Sequence, residues 1–126
     1  MSNINALGLT LSKISSLIRE RFKSRKGIPG SESYWIDRYQ SGRTSGDGSY
    51  GQLAEFKAEI INAFVRNQNI RTIIEYGCGD GNQLMLSKYP AYIGFDVSSD
   101  AVSMCKQTFF DDSTKVFKLM ADYAGE

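Results

Sequence analysis

Two carboxylates and three glycines stand where strands give way to helices. Glu75 closes the apolar run T-I-I-E, and Gly77, Gly79 and Gly81 follow at alternate positions. Asp96 ends a second apolar run 21 residues beyond Glu75. Glycine accepts positive φ and lets a ligand lie against bare main chain. A strand, a glycine loop and a helix form the unit with which doubly wound α/β sheets build a nucleotide cleft. An acid about 20 residues further on is placed to take ribose hydroxyls. The chemistry implied is the binding of a nucleoside-like small molecule at the tips of two neighbouring strands.

Those tips need elements to hold them. Apolar, β-branched and aromatic runs predict strands over 71–76, 92–97 and 115–120. A helix is predicted over 82–89, stopped by Pro90. A second begins after Ser98, an N-cap residue with Asp100 in the first turn, and carries Ala101, Val102, Cys105 and Phe109 inward. The order β-α-β-α-β, joined by right-handed crossovers, predicts an α/β fold with a parallel half-sheet in the order 3-2-1. Helices precede it. Residues 52–67 place Leu53, Phe56, Ile60 and Phe64 on one face, with Asn67 and Asn69 at the end. The stretch S-Y-W-I-D-R-Y before it predicts a short helix whose Tyr34, Trp35 and Tyr39 pack inward or line a site. Residues 41–51 are rich in glycine and serine and read equally as a linker or as a lid beside the cleft.

Residues 4–24 read as an amphipathic helix with Ile4, Leu7, Leu11, Ile14 and Ile18 on its apolar seam and a basic end, Arg19 to Lys26. Gly27 and Pro29-Gly30 stop it. This divides the chain into an N-terminal helix and linker, 1–30, and a domain, 31–126. The helix is expected to dock on a domain or partner, with attachment to an anionic membrane surface as the alternative.

The 126 residues suffice for one small domain with its own core. Fifteen basic and 14 acidic residues give a net charge of +1, which offers no general attraction to nucleic acid. Hydrophobic residues at 41% and charged residues at 23% describe a globular chain without a membrane-length apolar run. Cys78 and Cys105 do not make a disulfide framework, so a reducing, cytoplasmic setting is expected. The absence of histidine removes imidazole catalysis and histidine metal ligation from this chain.

The loop itself narrows the ligand. A phosphate-binding Walker loop needs Lys followed by Ser or Thr, and here Asp80-Gly81-Asn82 stands instead. A dinucleotide loop reads G-x-G-x-x-G, and here the third glycine comes one residue early. Pyrophosphate wants free N–H groups without carboxylates nearby, whereas this loop carries Glu75 and Asp80. Acids beside a ligand suit a cation.

E-Y-G-C-G-D-G resembles the first motif of class I S-adenosylmethionine-dependent methyltransferases. G-F-D-V-S at Gly94 to Ser98 resembles the second, M-A-D-Y at Met120 to Tyr123 the segment after strand three, and G-S-Y-G-Q-L-A-E-F-K the helix that leads into the domain. The resemblance spans roughly 31–126. It implies S-adenosylmethionine as cofactor. Gly77, Gly79 and Gly81 would receive its methionine part and Glu75 would orient it, with Cys78 as a small loop filler. Asp96 would take the ribose diol, Val97 or Phe95 would lie near the adenine, and Asp122 would face the adenine amino group. The family's complete sheet has seven strands in the order 3-2-1-4-5-7-6, so this chain resembles the cofactor half, truncated after strand three. Strand one then has an open edge that invites a second chain. The expected activity is methyl transfer to an acceptor the sequence does not name, with no catalytic base identified. The alternatives are a non-catalytic nucleotide-binding or dimerisation module, pairing through the open edge or the N-terminal helix, and a nicotinamide oxidoreductase fragment.

Overall fold

The computed structural model describes residues 30–123. The chain divides at Gly30 into two units, and the account below concerns the second, which begins at Ser31. The helix expected over 4–24 lies outside the described residues.

Three parallel strands form the sheet: β1 (Thr72–Tyr76), β2 (Ala91–Asp96) and β3 (Lys115–Leu119). β2 is central, paired to β1 with Glu75 opposite Gly94 and to β3 with Gly94 opposite Phe117. This is the expected half-sheet, with strand ends within one residue of the sequence reading. Side chains alternate across it. The layer Ile73–Tyr92–Lys115 and the layer Glu75–Gly94–Phe117 share one face with Asp96 and Leu119. That face carries the core, in which Leu84, Tyr92, Val102, Cys105 and Phe117 pack with Cys78.

Four helices accompany the strands among the described residues: α1 (Ser31–Gln40), α2 (Gly51–Asn67), α3 (Asn82–Met85) and α4 (Ser99–Thr108). α4 starts as expected, since the Ser98 hydroxyl accepts from the Ala101 N–H at 3.3 Å. Ala101, Val102 and Cys105 are buried and Phe109 packs partly against the core. α2 ends where Asn69 takes a left-handed conformation at φ 52°.

Two expectations change. The helix after the glycine loop ends at Met85 rather than running to 89. Asn62 of α2 offers the chain an alternative to further helical bonds: its amide donates to the Leu86 carbonyl at 3.0 Å and accepts from the Lys88 N–H at 2.8 Å. The stripe Leu53, Phe56, Ile60 and Phe64 is not the buried face of α2. These four remain between 53% and 61% exposed, while Ala54, Ala58 and Val65 are buried. Small residues allow α2 to come close to α3, where the Gln83 amide donates to the Ala54 carbonyl at 3.0 Å. The opposite face of the sheet is likewise only partly covered, with Ile74, Tyr76 and Val116 exposed. Parallel sheets are ordinarily covered on both faces. Among the described residues, this one is fully covered on a single face.

Candidate ligand-binding cleft

The loop between β1 and α3 is held by its own main chain. The Gly77 and Cys78 N–H groups both donate to the Phe95 carbonyl, at 2.7 and 2.9 Å. The Gly79 N–H donates to Asp96 Oδ2 at 2.9 Å. The Asp80 N–H donates to the Ser45 hydroxyl and the Asn82 N–H to Asp80 Oδ1, at 2.9 and 3.1 Å. A phosphate cradle needs such donors free. Here five of them are already engaged by the protein, which removes the reason to expect a pyrophosphate on this loop.

The glycines divide the work among themselves. Gly77 has φ 90°, and a Cβ there would meet nothing within 4 Å, so it presents open main chain to the cleft. A Cβ on Gly79 would come within 2.3 Å of the Ser45 hydroxyl and 2.9 Å of the Tyr39 hydroxyl. A Cβ on Gly81 would meet Phe109 at 3.0 Å and Cys105 Sγ at 3.1 Å. Gly79 therefore admits the 41–50 segment and Gly81 admits α4. Neither vacancy is open for a ligand to fill.

A fourth glycine was not singled out by sequence. At Gly94, inside β2, a Cβ would lie 2.8 Å from the Tyr92 ring and 2.9 Å from Cys78 Cβ. Its absence lets the Tyr92 phenol cross the strand and donate to Glu75 Oε2 at 2.5 Å. Burial, and then the Glu75 carboxylate, push the Tyr92 hydroxyl well above its ordinary pKa, so it stays a donor. Glycine within a strand pattern is the signal for such a close approach.

Asp96 is 4% exposed. Its two oxygens accept from the Gly79 and Ser98 N–H groups, each at 2.9 Å. It therefore fastens the glycine loop to β2 and also turns the chain into α4. A carboxylate has about four lone-pair sites, so acceptor capacity remains for a ligand.

The 41–51 segment, linker or lid by sequence, is a strap fastened to the loop. It contains a 3-10 turn, Asp47–Ser49. The Ser45 N–H and the Tyr50 hydroxyl donate to Asp80 Oδ2 at 2.9 and 2.7 Å, and the Asn82 side chain donates to the Ser49 carbonyl at 2.6 Å. Burial opposes ionisation of Asp80, but these donors outweigh it and hold its carboxyl below the ordinary value. Asp80 is thus a structural anchor; the acid count facing a ligand is carried by others. Tyr39 hydrogen-bonds Ser45 at 2.8 Å, and burial raises its hydroxyl to about 12.

Glu75, Gly77, Cys78, Gly79, Asp96 and Val97 meet in one cleft of about 650 Å3, joined there by Trp35, Lys57, Gln83 and Met120. The size is ordinary for a small-molecule site. Of the other residues expected at the site, Gly81 is turned to α4, and Asp122 is exposed in the 3-10 turn Met120–Asp122 without lining the cleft. Met120, in the same turn, does line it. Beyond it Tyr123 sits edge-on to Tyr76 and Phe95, at 5.4 Å from each. Of the α1 aromatics expected to pack inward or line a site, Trp35 and Tyr39 reach the cleft, whereas Tyr34 does not. Cys78 shares a thiol contact with Cys105, and this contact and burial raise its pKa far above the ordinary thiol value. It is a small buried wall and not a nucleophile, and both cysteines are free. No cluster of metal ligands occurs among the described residues, and no helix there is long and apolar enough to cross a membrane.

Gln83 Oε1 is buried without a hydrogen bond among the described residues. With the open main chain at Gly77 and the carboxylates of Glu75 and Asp96, the residues present fit a nucleoside that carries a positive group and no phosphate.

The fold is a Rossmann-like parallel half-sheet with a cleft at the tips of β1 and β2. No protein-family model and no curated protein sequence matches the chain. Solved structures do. The magnesium protoporphyrin IX methyltransferase from Synechocystis PCC 6803, determined with S-adenosylhomocysteine, is 17% identical over 89% of this chain and 54% of its own, with a TM-score of 0.48. A Staphylococcus aureus protein provisionally assigned as a caffeoyl-CoA O-methyltransferase is 13% identical over 83% and 49%, at 0.48. A geranyl diphosphate methyltransferase, determined with S-adenosylmethionine, is 14% identical over 76% and 37%, at 0.45. The chain spans about half the length of the structures it resembles, or less. At these identities and scores the functional reading rests on the chain's own residues.

Proposed function

We propose that residues 31–126 are the cofactor half of a class I S-adenosylmethionine-dependent methyltransferase. The observation that carries this reading is the cleft's donor and acceptor balance. Among the described residues, Glu32, Glu75 and Asp96 line it with one cation, Lys57, while the loop's N–H groups are already engaged. That balance favours a cationic nucleoside over a pyrophosphate. When bound, S-adenosylmethionine supplies an activated methyl group on a sulfonium.

The chain's own residues bind, orient and exclude water. Asp96, held in place by two N–H donors, keeps lone pairs for the ribose hydroxyls. Val97, Met120 and Tyr76 offer apolar surface for the base. Gly77 lets the thioether end rest on main chain, and Glu75 is aimed by Tyr92. Trp35 and the strap wall the cleft from solvent. Transfer from a sulfonium needs alignment above all, so a site without an assigned base suits an acceptor that is already nucleophilic. The two free thiols support a reducing, cytoplasmic setting. The edge of β1 left unpaired among the described residues and the α2 stripe support coverage of those surfaces by a second polypeptide segment or a second copy, which a sizing column reads directly.

Calorimetry with S-adenosylhomocysteine and with NADH separates this reading from an oxidoreductase fragment. Binding of the first and none of the second is expected; the reverse would refute it. Cofactor binding by a dimer without transfer to any acceptor would favour a non-catalytic module.

A further inference from the structure

We propose that the turn from Gly46 to Tyr50 is a hinged gate on the cleft, latched by the Tyr50 hydroxyl on Asp80, and that this latch sets how fast the ligand enters and leaves. The inference rests on the cleft reading given above. The turn lies between two spaces. Ser49 lines the cleft of about 650 Å3, whereas Tyr50 lines a second cavity of about 340 Å3 with Asp80, Asn82, Met104 and Thr108. Tyr39 lines both. The second cavity leaves room behind the turn, where a close-packed interior would forbid movement.

The turn is fixed by polar ties rather than by burial. No residue of Asp47–Ser49 is buried, and Tyr50 is exposed. Among the described residues two side-chain bonds join it to the glycine loop. The Tyr50 hydroxyl donates to Asp80 Oδ2 at 2.7 Å, and the Asn82 amide donates to the Ser49 carbonyl at 2.6 Å. Ser45, just before the turn, is held more firmly. It shares a hydrogen bond with the half-buried end of Tyr39, donates its N–H to Asp80 Oδ2 and accepts from the Asp80 N–H. The movable part therefore begins at Gly46. Gly46 and Gly51 bracket it at φ 91° and 57°. A Cβ on Gly51 would meet nothing within 4 Å, and one on Gly46 would meet Arg38 at an ordinary 3.7 Å. Crowding does not call for glycine at either place, but the left-handed main chain does, and such positions absorb the dihedral change of a hinge. A segment that buries little and is held by few bonds opens at far lower cost than the strands beside it.

The test uses the full 126-residue chain, with S-adenosylhomocysteine as the probe and Trp35, its one tryptophan, as the fluorophore in the cleft wall. The latch bonds Asp80 and not the ligand, so breaking it raises the open population of the free and the bound chain alike. In stopped-flow mixing, Tyr50→Phe is expected to speed association and dissociation together by about three- to tenfold, the factor for one hydrogen bond at an exposed site, and to leave Kd within about twofold. Asn82→Ala, which removes the other tie, should act in the same direction. In the chain without ligand, amide hydrogen exchange at residues 47–50 should be faster in Tyr50→Phe, with β1 and β2 as slow as in the wild type. Faster dissociation with unchanged association would make the turn a plain binding wall and refute the gate. Exchange at 47–50 that ignores the substitution would refute it as well. Failure of the wild type to bind S-adenosylhomocysteine would overturn the cleft reading, while the exchange measurement, which needs no ligand, still decides the gate.

Discussion

Replacing Asp96 by Asn changes charge and hydrogen-bond direction while keeping shape. In the wild type both N–H donors, from Gly79 and Ser98, point at carboxylate oxygens 2.9 Å away in a site 4% exposed. The amide can present its oxygen to one of them. Its NH2 must then face the other N–H, so one charge-assisted bond is lost and two donors are opposed. A bond to a charged group contributes about 1.5–3 kcal/mol, and little solvent reaches this site to replace it. Urea denaturation followed by Trp35 fluorescence should show Asp96→Asn destabilised by about that amount with an unchanged slope. Affinity for S-adenosylhomocysteine should fall by a further 1–3 kcal/mol, roughly 5- to 150-fold, because the ribose loses its charged acceptor. Asp122→Asn is the control: that side chain is exposed and outside the cleft, so both quantities should stay at wild-type values. An Asp96→Asn chain as stable and as tightly binding as the wild type would refute the reasoning. A large effect at Asp122 with none at Asp96 would move the nucleoside to the other turn.

Gly94→Ala should destabilise the domain by about 1–3 kcal/mol, the usual cost of overpacking, since its Cβ would be driven into Tyr92 and Cys78. Tyr92→Phe in the same background should then add little, because the Glu75 bond is already broken; full additivity in the double-mutant cycle would contradict the crossing described here. The strap should respond to acid. The Asp80 pKa is lowered in the folded state, so its contribution is fully present above the ordinary value of 3.8 and is lost as pH falls below that through the depressed value. The Ser45 and Asn82 amide signals should titrate together with a midpoint below 3.8, and Asp80→Asn should abolish the transition. A midpoint at or above that value would show that the strap donors do not stabilise the carboxylate.

What was legible in the sequence was local. T-I-I-E followed by alternating glycines, Ser98 ahead of an amphipathic helix, and Asn69 after another each specify main-chain geometry through neighbours a few positions away. Strand order and the clustering of Glu75, Gly77 and Asp96 at adjacent tips follow from those units and the rule for crossovers. Partners distant in the chain were not legible. Asp80 looked like a ligand-facing acid until Ser45 and Tyr50, 35 and 30 residues away, were seen to occupy it. Gly79 and Gly81 looked equivalent to Gly77, yet their missing side chains make room for the strap and for α4. The large residues of α2 looked like its buried face, but its small residues pack closely and the large ones stay exposed. The sequence by itself determined which segments become strands, loops and helices, because those preferences are properties of consecutive residues. Only the tertiary structure decided which polar atoms remain available to a ligand. A hydrogen-bonding group is free or engaged according to what the rest of the fold places within about 3 Å of it, and for Asp80 that answer is written in residues far from it in the chain.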